Sequence, residues 1–168
     1  MAPEPRPAAA PSFAARRYCW EDFTPGRVFE LGRTTVEREA VLAFARDFDP
    51  QPFHLDDAAA EASLFGRLAA SGWHTCAMVM RLMCDGYLND SASLGSPGID
   101  QLRWLKPVYP GDTLSVRMEV LESRPMKSRP QVGLVLSRWQ VANQDGIEVM
   151  TMQGWGMFGR RTPGEAAA

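Results

Sequence analysis

Residues Ser71–Leu88 read "SGWHTCAMVMRLMCDGYL", and this stretch decides the fold. Arg81 and a few small polar groups interrupt a segment that is otherwise apolar on nearly every side of a helix. A helix that is hydrophobic all round has to be buried all round. A membrane span needs about 20 consecutive apolar residues, and this run is shorter. The expectation is therefore a central helix from Gly72 to Tyr87, wrapped by the rest of the chain.

The wrapper lies downstream. "IDQLRWLKPVY", "DTLSVRMEVLESR", "QVGLVLSRWQVAN" and "IEVMTMQGWGMFGR" alternate or run apolar and are rich in Val, Leu, Trp and Thr. Asp145-Gly146 between the last two is a hairpin signal, and Pro110-Gly111-Asp112 separates the first two. Upstream, Val28 to Arg33 reads as a short strand after a turn at Pro25-Gly26. Thr34 with Glu37 matches a capping box for an amphipathic helix from Val36 to Asp47. "LDDAAAEASLFG" reads as a short helix capped by Asp56 or Asp57 and closed near Gly66. One strand, then helices, then four antiparallel strands is an α+β order. A curved antiparallel sheet wrapped around a central buried helix is the hotdog fold.

The whole chain has 168 residues and a net charge of −2 with interspersed signs. That length suits one domain, and that charge offers no basic surface for nucleic acid or anionic membranes. Three cysteines without a CxxC pair, Cys19, Cys76 and Cys84, fit a reduced, cytoplasmic setting. The Ala/Pro-rich residues 1–16 lack an apolar h-region and the means to bury themselves, so they are expected to form a disordered tail. The single domain is expected over 17–160, with a frayed C-terminal tail over 161–168.

Candidate chemistry sits in "RDFDPQPFHLDD", Arg46 to Asp57. Pro50 and Pro52 fix their own φ and push their neighbours out of the helical region, so Asp49 and His54 end a stiffened segment. A turn there would bring carboxylate and imidazole towards one water, a pair suited to general acid–base work. A proline-rich connector with a capping Asp and a surface His fits the same residues. Gly72, at the expected N-terminus of the buried helix, leaves free N–H groups where negative charge is favoured. It suits an oxyanion site, and equally a point of tight helix–sheet packing. His74 reads as a hydrogen-bonded core histidine, Cys76 as packing, and Met78, Met80 and Met83 as core filler. His74 and Cys76 find no third ligand at a convincing spacing, so no metal site is expected.

"DFDPQPFHLDDAAAEASLFGRLAASGWHT" resembles the hydratase signature of the MaoC-like dehydratases, the (R)-specific enoyl-CoA hydratase family of hotdog proteins. That signature runs Asp-x-Asn-Pro-x-His, then a helix, then His-Gly at the start of the central helix. Asp49, Pro52, His54 and Gly72 match it, and "LKPVYPGDTL" is similar to the strand-turn-strand that follows. Gln51 stands where the signature has Asn and Ser71 where His is common. Met80 falls at about the position where some members carry a serine.

The resemblance implies reversible syn hydration of a 2-enoyl thioester of CoA or an acyl-carrier protein. Asp49 would serve as base, His54 would position the water and help return a proton, and the Gly72 N–H would hold the thioester carbonyl. It implies neither metal nor redox cofactor, and a homodimer with the carrier arm entering between subunits. Two alternatives remain: a hotdog thioesterase, for which Asp85 comes late in the helix, and a non-catalytic module that binds acyl thioesters.

Overall fold

The computed structural model describes residue 13 and residues 15–162. Strand β1 (Val28–Thr35) leads into helix α1 (Arg38–Phe48), a single 3₁₀ turn (Pro52–His54) and the short helix α2 (Asp57–Glu61). Helix α3 (Gly72–Met83) follows and widens into a π-type turn over Cys84–Leu88. Strands β2 (Gly98–Trp104), β3 (Thr113–Pro125), β4 (Val132–Ala142) and β5 (Glu148–Gly159) complete the chain. They form one antiparallel sheet in the order β1-β3-β4-β5-β2, with α3 across its inner face. This is the hotdog fold expected from the apolar run at Ser71–Leu88.

Period-two burial builds the core. Val116, Met118 and Val120 on β3, Val135, Trp139 and Val141 on β4, and Met150, Met152 and Phe158 on β5 all point inward. They meet Val79, Leu82, Met83 and Tyr87 of the central helix and its extension. At one end Phe23 closes the core, its ring 4.3 Å from Phe158 and 5.7 Å from Phe29. A smaller cluster of Leu42, Ala60 and Leu68, joined by Phe53, lies between α1 and α2 and underpins the proline segment.

Four expectations are corrected. Thr34 does not cap α1: Thr34 and Thr35 extend β1 by pairing with Leu114 and Thr113, and the helix begins after Glu37 with no side-chain cap. Ladder hydrogen bonds outweigh the local capping motif there. The helix after His54 ends at Glu61, well short of Gly66. β2 and β3 are not partners across Pro110–Asp112; β2 crosses to the far edge and pairs with β5. Finally, α3 is not covered on every side, because Trp73 is 58% and Met80 47% exposed.

The expected tails lie mostly outside the described residues. Of those described, Phe13 accepts the Cys19 thiol at its carbonyl, and Arg161 is tied to Asp22 at 2.7 Å. No described helix is long and apolar enough to cross a membrane.

Met118 is fully buried on the inner face of β3. Met118→Ala should lower unfolding free energy by about 2–5 kcal/mol in denaturant titrations. A loss below about 1 kcal/mol would mean that the inner face of β3 is not core.

Candidate active site

Asp49 ends α1. Its extended φ of −148° turns the chain out of the helix, and Pro50 prevents any continuation. Pro52 then opens a single 3₁₀ turn, where its missing N–H costs nothing, and the His54 N–H closes that turn on the Gln51 carbonyl at 2.9 Å. The chain thus folds back within five residues. Asp49 Oδ2 and His54 Nε2 come to lie 3.5 Å apart.

Each side chain is held from behind. The His54 ring is nearly buried, packed edge-on against Phe53 and near Phe65. Its Nδ1 lies 2.8 Å from the Ala69 carbonyl oxygen. A carbonyl can only accept, so Nδ1 carries a proton and Nε2 is the ring atom turned to Asp49. Asp49 Oδ1 accepts from Gln51 Nε2 at 2.7 Å, and Oδ2 accepts from Ser71 Oγ at 2.6 Å. Burial alone would raise the Asp49 pKa. The two donors, with His54 beside them, outweigh burial and hold it below the usual carboxylate value.

Asp49, His54 and Gly72 line one cavity of about 420 Å³, together with Gln51, Trp104 and Lys106. The Gly72 N–H makes no hydrogen bond among the described residues, as expected for the first turn of a helix. The space at its Cα has a different owner: a Cβ there would lie 2.5 Å from Trp104 Cε2, and Trp104 Nε1 donates to the Gly72 carbonyl at 3.0 Å. A side chain at this position would have to push the indole aside.

The remaining sequence candidates stand apart. His74 is buried and its ring stacks on Phe44 at 4.8 Å, but its Nδ1 has no partner among the described residues. The hydrogen bond expected of a core histidine is thus missing at Nδ1, and burial lowers the His74 pKa. Burial likewise pushes the Cys76 thiol up, consistent with packing. Asp85 pairs with Arg81 at 2.7 Å on the exposed surface, away from the cavity. A second cavity, about 410 Å³ and mostly apolar, lies between α3 and the sheet and includes Met80, Met83, Trp139 and Met152. Met83 is core as expected, whereas Met80 is 47% exposed and does not simply fill core.

Sequence reasoning missed two contributors. Ser71 was visible only as a departure from a signature, although a serine just before a buried helix is a capping signal in its own right. Trp104 carried no local signal, because its partner Gly72 lies 32 residues away.

One helix wrapped by one antiparallel sheet, with a carboxylate–imidazole pair in a cavity at that helix's start, defines a hotdog protein with a candidate acid–base site. The chain belongs to the MaoC-like domain family, whose pattern matches residues 22–140. A MaoC-like dehydratase from Rhodospirillum rubrum is 44% identical and superimposes with a TM-score of 0.80, covering 86% of this chain and 99% of that one. The uncharacterized protein YdeM of Bacillus subtilis (strain 168) is 32% identical over 77% of this chain and 90% of its own length. The R-hydratase PhaJ1 of Pseudomonas aeruginosa, 23% identical with a TM-score of 0.66 over 86% of each chain, shares the fold.

Gly72→Ala should displace the indole. The melting temperature should fall, and the emission of Trp104, taken as the difference from a Trp104→Phe background, should shift to the red. Unchanged melting and emission would show that Trp104 does not need this glycine.

Proposed function

We propose that this protein catalyses the reversible hydration of a 2-enoyl thioester to a 3-hydroxyacyl thioester. The observation that carries this reading is the 3.5 Å approach of Asp49 Oδ2 to His54 Nε2 in the cavity they share with Gly72. In the neutral tautomer with the proton on Nδ1, both facing atoms are acceptors. A water between them donates one hydrogen to each, and its oxygen lone pairs are left to face the substrate.

The water oxygen attacks C3 as Asp49 takes its proton. Electron density moves through C2 onto the thioester oxygen, which the Gly72 N–H and the α3 N-terminus stabilise. The released proton returns to C2 with the help of His54, so one water is consumed and the dyad ends as it began. Both new bonds form on the face that meets the dyad, and the addition is syn. A depressed Asp49 pKa suits this role, because the base is ionised at neutral pH. The chemistry needs neither a metal nor a redox cofactor, and the thioester carrier is CoA or an acyl-carrier protein.

The bare edge supports a homodimer. β2 is exposed almost throughout, and Ile99, Trp104, Trp73 and Met80 present apolar surface on and beside it. An unpaired edge with apolar neighbours is suited to pairing with a second copy. Both cavities have β2 residues in their walls, so such a partner would narrow the entrances through which a carrier arm passes.

Consumption of enoyl-CoA thioesters, followed at the absorbance of the conjugated thioester, tests the reading. Asp49→Asn and His54→Ala should each lose about 10²- to 10⁴-fold in rate with the fold intact. A variant that keeps more than about a tenth of the rate removes that residue from the mechanism. No turnover of any chain length by the unaltered protein would favour the thioester-binding module.

A further inference from the structure

We infer that Ser71 is the positioning residue of the site, the group that aims Asp49 and couples its carboxylate to the start of the central helix. This rests on the hydratase reading only for its kinetic consequences. The geometry stands without it. Ser71 is 1% exposed, and its hydroxyl makes two contacts of opposite sense. It accepts the Trp73 N–H at 3.2 Å as the N-cap of α3, and it donates to Asp49 Oδ2 at 2.6 Å.

A hydroxyl has one proton. With the Trp73 N–H on its oxygen, that proton is free to go to the carboxylate, and Asp49 Oδ2 is where it points. Oδ2 is also the oxygen that faces His54 Nε2. Ser71 therefore acts on the atom that takes the water proton, and Gln51 secures the other oxygen. The carboxylate cannot rotate without breaking one of these bonds, and both favour its charged form.

The same contact sets distance as well as charge. Ser71 precedes Gly72, whose N–H opens the helix, so a single residue joins the base to the neighbouring carbonyl-binding group. Sliding α3 along its axis would pull Ser71 off Asp49. Dyad and helix N-terminus thus keep one spacing, which the C3-to-carbonyl separation of an enoyl thioester requires. His54, on the 3₁₀ turn, is the titratable group against Asp49, and Lys106, between β2 and β3, lines the same cavity.

Ser71→Gly separates the two jobs, because glycine caps a helix nearly as well as serine but has no hydroxyl. The acid limb of the kcat/KM–pH profile should move up by about one to two units, the usual weight of a hydrogen bond to a charged group. kcat should fall with KM little changed, and Ser71→Thr, which restores the hydroxyl, should return the limb towards its original place. Titration of the Asp49 carboxyl carbon by NMR should show the same upward shift in Ser71→Gly without any substrate. An Asp49 titration that does not move overturns the inference, whatever happens to the rate.

The two readings fail separately. If the unaltered protein turns over no enoyl thioester, the hydratase reading falls while the Asp49 titration still decides the role of Ser71. If Ser71→Gly does not fold, the unaltered protein carries the test: Asp49 should titrate below about 3.9, the ordinary value for this side chain. Titration at or above that value contradicts the inference.

Discussion

Burial of Val79, Leu82 and Met83 against the inner face of the sheet fixes where α3 lies, and the site is laid out from the point where that helix begins. A helix start leaves N–H groups without partners, and near a protein core each needs an acceptor or an opening to a cavity. Here the Ser71 hydroxyl takes the Trp73 N–H, while the Gly72 N–H has no partner among the described residues, and Gly72 lines the cavity. The Asp49–His54 segment passes this point because α1 ends there, and the Leu42, Ala60 and Leu68 cluster holds it in place. Packing energy spent on the core thus also sets the positions of the chemical groups.

Much of this was legible in the chain because it is written locally. An all-round apolar run marks a buried helix, and period-two runs mark strands. Two prolines in three residues mark a stiff turn, and Asp49 and His54 are indeed folded together by it. What was not legible depends on contacts far apart in sequence. β2 pairs with β5 across about 50 residues, and no turn residue announces that partner. Thr34 and Glu37 obey a helix-capping pattern, but the free edge of β3 offers Thr34 a ladder place instead. The exposed face of α3 differs in kind. Trp73 and Met80 are apolar yet exposed in the single chain, and a pattern that marks burial does not say whether the same chain or a second copy provides the cover.

Gly72 shows how one residue can satisfy two demands that point in different directions. Its Cα face is filled by Trp104, and the residue lines the cavity shared with Asp49 and His54. The packing role alone would retain a glycine here, so its presence does not by itself argue for an oxyanion site. The argument for chemistry rests on the dyad. Asp49 Oδ2 and His54 Nε2 lie 3.5 Å apart, each fixed from behind, and on the proposed reading they hold one water between them.

Such a holder delivers from one side only, and this gives the account its most direct test. Hydration of a trans-2-enoyl thioester in D₂O labels C2 with deuterium while oxygen adds at C3. The coupling between the C2 and C3 protons of the product, read by NMR, reports their relative configuration. If one water between Asp49 and His54 supplies both groups, a single diastereomer forms, with oxygen and deuterium added to the same face. An anti product, or a mixture of the two, would contradict a one-water, one-face site.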